Sequence, residues 1–521
     1  MPKQQLKIVL PIFLAILVAP LLAILVMNNG VFVFSLDDPL IHLAVAENIL
    51  KGSYGINANE YSSPSSSILW PLLLAPMQVI DSKGFSPLLI NFTCALLTFV
   101  IILKQLSVWF KEDFKTAAIL ALLFIACTNI VGVAYTGMEH SLQVLLSVAA
   151  LRGAFILNQL KPEQRLPLWL PLVLMLGPLV RYENISLSIA IGLYAIYKGH
   201  WKAIFITAAL TLFALILFSV FLKSVGLGFF PASVNSKSLA VLNNGSTNGF
   251  MNNIQTNISS KGVYTHLILM ALLVHGSLSK TFLKDQRVMS VCLLIGSILH
   301  FVAGRYGWFA RYELYMFIPV FLWVIHLHQK QVKVFIYKPF KYWGSVLLIL
   351  LIFLTPYIHA TLGTPTSSNN IYSQQFQMHR FINEFYQDSV AVNDIGWVSY
   401  QNDSYVLDLW GLTSSEVYLA QQNATDSKWM GELVDTHDIK LVMIYSKWFK
   451  HIPSDWVLLG TLRLKSIFIF IDRDVSFYAT DASTQEKILE QLKLFTKTLP
   501  DSTEFIYAEI DAKTNTEPDA E

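Results

Sequence analysis

Long apolar runs recur along the first 360 residues of the chain and then stop. They fall at about 8–27, 86–104, 116–134, 139–157, 167–180, 184–198, 201–222, 264–279, 288–304, 311–328 and 341–360. A bilayer core of ~30 Å takes roughly 20 helical residues to cross, so this pattern predicts about eleven transmembrane helices. The segment 68–80 is also apolar, but at about 13 residues it reads as an interfacial helix on the outer face. Beyond 360 the pattern becomes that of a soluble domain. A helix is expected over 371–387, and β-branched runs of strand length stand at Ser389–Val392, Tyr405–Leu407, Lys440–Ile444 and Ile467–Ile471. The expected fold class is a polytopic α-helical membrane protein (residues 1–360) followed by a C-terminal α/β soluble domain (361–508). A polar, acidic tail (509–521) is expected to be disordered.

Charge sets the direction of insertion. With 68–80 kept out of the membrane, the inner loops collect Lys104, Lys111 and Lys115; Arg152, Lys161 and Arg165; Lys198 and Lys202; Lys280, Lys284 and Arg287; and Lys330, Lys333, Lys338 and Lys341. Every basic cluster then lies inside, as the positive-inside rule requires; a crossing at 68–80 would invert the clusters after it. The amino terminus is expected to be cytoplasmic and the C-terminal domain outside. The first span is too long for a signal-peptide core, so it is read as uncleaved.

Composition agrees: 54% of residues are hydrophobic and 14% charged, against roughly 25% charged in soluble domains. The net charge of +2 and the absence of a basic tract give no reason to expect nucleic acid. Cys94, Cys127 and Cys292 all lie in apolar runs, so no disulfide framework is expected. No P-loop, His-Glu-x-x-His, Cys-x-x-Cys, Gly-x-Ser-x-Gly or dinucleotide fingerprint occurs.

The chemistry gathers on the outer side, in the loops 28–85 and 223–263 and around Arg181 and Arg305. Asp37 and Asp38 stand together after the first span, where an acid needs a use or an escape to water. Asp38 precedes Pro39 and a helical pattern, so a cap is its bland role. Asp37 has no such role and is the preferred general base, with Asp38 second. His42 lies one turn further on, within reach of Asp38 or as a structural residue. An outward site has no nucleotide pool, so an activated substrate would arrive lipid-linked, and its phosphate needs cations. Lys237, Arg311, Arg181 and Arg305 are the candidates, each also readable as an interfacial anchor. The spans flanking Arg181-Tyr182-Glu183 are short, about 14 residues each, which draws these polar residues below the surface and predicts a wet cavity opening outward. Glu139 is a candidate to hold a sugar hydroxyl or a cation, and Tyr135 and Trp70 to wall a sugar ring or isoprene units, against the ordinary role of interfacial aromatics. No ligand spacing demands a metal; a divalent ion between acidic groups stays open.

These residues resemble the GT-C glycosyltransferases, most of all the bacterial arabinofuranosyltransferase- and mannosyltransferase-like branch. The segment Asp37-Asp38-Pro39, Ala46-Glu47-Asn48-Ile49-Leu50-Lys51-Gly52, Asn57, Ser63-Pro64 and Leu69-Trp70 is similar to that family's first outer loop. Four further pieces follow in order: Tyr135-Thr136-Gly137-Met138-Glu139, Arg181-Tyr182-Glu183, Phe230-Pro231 with Lys237, and Asp394-Ile395-Gly396 with Asp408-Leu409-Trp410-Gly411-Leu412. The chain departs from the family at Tyr182, where a proline is usual, and at Ser65-Ser66-Ser67. The resemblance implies a polyprenyl-phosphate sugar donor, an active site on the outer face of a bacterial inner membrane, inversion at the anomeric carbon and a first-loop aspartate as base. It favours arabinofuranose slightly as the sugar. The acceptor could be a glycan, a lipid or a protein such as a pilin. The competing readings are a transporter or flippase for lipid-linked sugars, an oligosaccharide ligase, and a non-catalytic scaffold. A transporter should show internal repeats and mid-span unwinding, and neither is evident.

Overall fold

A computed structural model describes residues 3–81, 83–110, 113–161, 163–234, 249–337, 344–468 and 472–509. The first part is helical. The helices used below are α1 (Lys3–Met27), α2 (Asp38–Leu50), α3 (Leu69–Gln78), α4 (Ser86–Trp109), α5 (Phe114–Cys127), α6 (Ile130–Ala134), α7 (His140–Leu157), α8 (Trp169–Val180) and α9 (Ile185–Tyr197). After them come α10 (Trp201–Ser224), α11 (Gly249–Ser259), α12 (Lys261–Leu278), α13 (Lys284–Ala303), α14 (Leu314–Leu327), α15 (Gln329–Tyr337) and α16 (Gly344–Leu362). Among the described residues, six helices are long and apolar enough to cross a membrane: Lys7–Met27, α4, α7, α10, α12 and α13. Each remaining expected span also holds a helix, shorter in α5, α8, α9 and α14, while α16 runs over 19 residues. The expected 116–134 span is interrupted: α5 ends at Cys127, and Asn129 takes a left-handed conformation (φ +50°) before α6 begins. The 68–80 run forms the short α3, packed on α2 through the buried Trp70 and Leu74.

Two devices bring the first loop onto the helices. Helix α1 contains Pro11 and Pro20, and a proline breaks the backbone ladder around it. The Tyr135 hydroxyl fills that break, donating to the Leu17 carbonyl (2.5 Å) and accepting from the Leu21 N–H (3.0 Å). Gly137 turns the chain into α7 with φ +68°, where a Cβ would lie 2.6 Å from Pro39 Cβ. The start of α2 is thereby seated on the turn that leads to Glu139.

The C-terminal domain is built on a six-stranded sheet in the order β2-β1-β3-β5-β4-β6. The strands are β1 (Val390–Val392), β2 (Val406–Asp408), β3 (Leu441–Ile444), β4 (Val457–Leu464), β5 (Asp474–Ala479) and β6 (Thr503–Tyr507). Strands β2, β1 and β3 run parallel, with Ala391 opposite both Leu407 and Val442; the other pairs are antiparallel. The three parallel strands are buried on both faces, which is why they read as continuous apolar runs. The expected strand at 467–471 does not form at Ile467–Phe468, and 469–471 lie outside the described residues. Phe468 instead stacks on His359 with ring centres 4.7 Å apart. The expected helix over 371–387 is interrupted at Gln374 and closes in a π-helical turn, Phe381–Tyr386. Nearly all of the 509–521 tail lies outside the described residues.

Candidate functional site

The paired aspartates separate. Asp37 holds the N-cap position and Asp38 is the first residue of α2, so the capping position expected for Asp38 belongs to its neighbour. Neither position is a side-chain cap in effect, because the Asp37 side chain makes no hydrogen bond to α2. Its carboxylate points at the C-terminal domain. Oδ2 accepts the Gly396 N–H (2.7 Å) and Oδ1 the Trp397 N–H (2.8 Å). Gly396 is required by this approach: a Cβ there would lie 2.2 Å from the Asp37 carbonyl oxygen. Asp38 turns the other way, onto Arg311, whose Nη2 lies 2.6 Å from its Oδ2. The Asp38 side chain is 37% exposed, whereas Asp37 is 8% exposed.

More of the first loop is clamped by the same domain. The Asn57 side chain takes both backbone groups of Val406: its Oδ1 accepts the N–H (3.0 Å) and its Nδ2 donates to the carbonyl (3.0 Å). Val406 is on β2, the edge strand, so Asn57 closes an otherwise open ladder. Beside Asp37 lies Asp394, whose Oδ2 accepts from Gln375 Nε2 (2.8 Å) and sits 2.9 Å from the Tyr445 hydroxyl. Burial, and then the Asp394 charge, push the Asp37 carboxyl well above the usual carboxylate range; the Trp397 and Gly396 N–H groups oppose that rise. Burial likewise raises Asp394, against the hydrogen bonds from Gln375 and Tyr445. Asp408 makes a turn instead: its oxygens accept the N–H groups of Trp410, Gly411 and Thr413.

Behind Asp38 is a second ionic group. Glu139, fully buried at the start of α7, lies 2.6 Å from Arg181 Nη1 and 3.6 Å from His42 Nε2. The other edge of His42 contacts the Ser65 hydroxyl at 3.0 Å. Arg181 also holds Glu183 in a two-pronged pair, Nη2 to Oε1 at 2.7 Å and Nε to Oε2 at 3.2 Å. The geometry is bidentate, the stronger form of a guanidinium–carboxylate pair. The Tyr312 ring links the two arginines, with its centre 5.4 Å from the Arg181 guanidinium carbon and 5.2 Å from that of Arg311.

A cavity of about 480 Å³ opens beside this group. Its polar wall includes Ser66, Arg181, Glu183, Asn253, Arg305 and Tyr312; its apolar wall includes Ile185, Ile189, Leu299, Val302 and Ala303. Arg181-Tyr182-Glu183 are thus at a cavity, where the short flanking runs put them. Tyr312, His300 and Asn253 belong to that wall although sequence reasoning assigned them no functional role. Beyond the place of Tyr312 next to Arg311, nothing local marks them.

Arg311 is delivered by an unusual turn. Gly307, Trp308, Phe309 and Ala310 have φ of +87°, +45°, +66° and +47°. The Arg311 N–H bonds the Gly307 carbonyl at 3.2 Å, which closes one left-handed turn. A left-handed helical residue other than glycine costs roughly 1–2 kcal/mol. Three in succession therefore need outside support. Asn129 supplies it, with Nδ2 donating to the Phe309 carbonyl (2.7 Å) and reaching the Ala310 carbonyl (3.3 Å). The Glu313 carboxylate accepts the Gly307 N–H at 3.1 Å.

The structure therefore forms two ionic groups, Asp38 with Arg311 and Glu139 with Arg181 and His42, on either side of the Tyr312 ring, with Arg305 on the adjoining cavity wall. It puts Trp70 in the core, fully buried, and Tyr135 in the break of α1, and neither lines the cavity. Lys237 lies outside the described residues. Among the described residues no group of three or more His, Cys, Asp or Glu side chains is placed to hold a metal ion.

A family model described as a domain of unknown function (DUF8728) matches residues 369–478, which lie in the C-terminal domain. No curated protein matches the chain. Solved structures of the oligosaccharyltransferase of Archaeoglobus fulgidus are similar in outline. Its complex with zinc and sulfate is 13% identical, with 89% of this chain and 73% of that chain covered and a TM-score of 0.44. The form tethered to an acceptor peptide is 12% identical, with 94% and 75% covered and a TM-score of 0.45. The complex with an inhibitory peptide and a dolichol-phosphate is 13% identical, with 95% and 76% covered and a TM-score of 0.43. No function follows from likeness at this level.

Proposed function

We propose that the chain is a GT-C-type glycosyltransferase of the bacterial inner membrane that moves a single sugar from a polyprenyl-phosphate donor to an acceptor hydroxyl, with inversion, on the extracytoplasmic face. The observation that carries this reading is the two-sided cavity. Arg181 and Arg305 stand on its polar wall and Ile185, Ile189 and Leu299 on its apolar wall, a pairing that suits a phosphate with an isoprenoid tail. The sequence resemblance adds the donor class and a slight preference for arabinofuranose, and the basic loops support an outward site.

Asp38 is the preferred base in this reading and Asp37 the anchor of the loop. Asp38 is the more exposed carboxylate, while both oxygens of Asp37 are already engaged by backbone N–H groups. Asp38 takes the proton from the acceptor hydroxyl as its oxygen bonds the anomeric carbon. The bond between the anomeric carbon and the phosphate oxygen breaks, and its electron pair leaves on the polyprenyl phosphate. That leaving group is already acidic, so it needs charge stabilisation more than protonation. Arg305 and Arg181, with Lys237 and Arg311, are assigned to it. Glu183 and Glu139 hold Arg181 in place, and the acceptor is a glycan, lipid or protein hydroxyl approaching from the C-terminal domain.

The test uses purified full-length protein in lipid nanodiscs with polyprenyl-phosphate arabinofuranose, and the readout is released polyprenyl phosphate. Asp38→Asn is expected to abolish release and, because the buried Arg311 loses this carboxylate, to lower the melting temperature of a protein that still folds. Full release in that variant would refute Asp38 as base, and transfer only from a diphosphate-linked oligosaccharide would replace the reading with a ligase.

A further inference from the structure

The left-handed turn that carries Arg311 does not hold itself. The chain passes through four positive-φ residues, Gly307 to Ala310, and only the first is glycine. Backbone held in so sparsely populated a region persists when its surroundings over-determine it, and such strain gathers at functional sites. Here the surroundings come from far away in sequence. Asn129 is fully buried and itself left-handed, and its amide nitrogen donates to the Phe309 carbonyl at 2.7 Å. Its amide oxygen accepts the Thr361 hydroxyl at 3.0 Å, near the end of α16. Gly132 leaves room for this, since a Cβ there would fall 2.2 Å from Asn129 Oδ1 and 3.2 Å from Thr361 Cα. One side chain therefore joins the α5–α6 break, the last apolar helix and the turn. What the turn delivers is the Arg311 guanidinium, 2.6 Å from Asp38.

We infer that Asn129 is a positioning residue for the reaction: it locks the 307–310 turn so that Arg311 meets Asp38. This rests on the glycosyl-transfer reading of that site. Asn129 touches neither substrate nor reacting atoms, so its effect passes through Arg311. Misplacing a catalytic group by about 1 Å can cost on the order of 100-fold in rate. Loss of the lock should therefore appear in turnover rather than in donor binding.

The experiment uses the full chain in nanodiscs with the polyprenyl-phosphate sugar donor. Asn129→Ala is expected to lower kcat at least about tenfold while donor KM stays within about twofold. Adding Ala310→Gly should restore much of that loss, because glycine accepts the left-handed conformation without the clamp. In an Arg311→Gln background, Asn129→Ala should lose little more. Unchanged kcat in Asn129→Ala, no rescue by Ala310→Gly, or a full further loss in the Arg311→Gln background would each overturn the inference. If Asn129→Ala does not fold, Thr361→Val removes the hydroxyl that orients the amide and is judged by the same outcomes. Should Asp38→Asn stay active, the functional reading fails by itself. The positioning claim is then decided without turnover, by a thermal-shift cycle of Asn129→Ala against Arg311→Gln. Non-additive melting shifts would support it and additive shifts would refute it.

Discussion

Gly396→Ala should unlatch the first loop from the C-terminal domain. The new Cβ would fall 2.2 Å from the Asp37 carbonyl oxygen and 2.4 Å from Asp37 Oδ2, both far inside van der Waals contact. Neither atom is the loose end of a long side chain, so the segments must part by about 1 Å, which takes both N–H···O contacts out of hydrogen-bond range. Each is a bond to a carboxylate, worth roughly 1.5–3 kcal/mol. Hydration of the freed carboxylate returns part of that, leaving a loss of about 3 kcal/mol. Every 1.4 kcal/mol is about a factor of ten, so the latch should open roughly 100-fold more often. Hydrogen exchange followed by mass spectrometry reads this directly, in peptides covering 36–50 and 393–400. Asp37→Asn should give a smaller effect in the same peptides: its amide oxygen still accepts one N–H, while its NH₂ group faces the other as donor against donor. Exchange within threefold of the wild type in Gly396→Ala would refute the latch. The double variant should exceed Gly396→Ala by little, since both act on one contact.

Three more outcomes follow from the geometry. Asp394→Asn should flatten the pH dependence of stability. Folding raises Asp37 and Asp394 above the ordinary carboxylate value of 3.8, so their contribution is full below that value and is lost as pH rises through the folded pKa. The wild-type melting temperature should therefore fall more steeply than the variant's above about pH 4, and parallel curves would count against the coupling. Tyr135→Phe should lower stability by about 1–2 kcal/mol, the worth of a buried hydroxyl bridge, with donor KM unchanged; a KM change without a stability change would return Tyr135 to a ligand wall. Glu139→Gln should cost about 2–3 kcal/mol, because it removes one of the two carboxylates on the buried Arg181 while the Glu183 pair stays, and a melting temperature equal to wild type would refute the buried pairing.

What the sequence showed and what it hid divide along one line. Local periodicity was enough for the apolar helices, for the strands β1, β2 and β3, and for a cavity at Arg181-Tyr182-Glu183. It was not enough to tell Asp37 from Asp38. Their difference is set by partners 359 and 273 residues away, Gly396 and Arg311, and no local pattern carries such distances. A proline after an acid pointed to a cap at Asp38, yet the helix starts one residue earlier than that reading needs. Strand β4 was missed because its pattern is mixed, with Gly460 and Arg463 inside it; Arg463 is explained by Asp474 across the ladder, 2.7 Å away. The 307–310 turn was invisible for a sharper reason. Trp308, Phe309 and Ala310 are poor left-handed residues by intrinsic preference, and distant side chains such as Asn129 hold them there.

The grip of Asn57 and Asp37 on Val406, Gly396 and Trp397 also has a meaning in time. A ribosome makes the first loop early and the residues that fasten it some 350 positions later. Until then the aspartates sit on an unfastened loop, and the β2 edge that Asn57 seals does not exist. An emerging chain would thus carry its acidic first loop unfastened through most of its synthesis, and the C-terminal domain, made later, would be the part that fixes it in place.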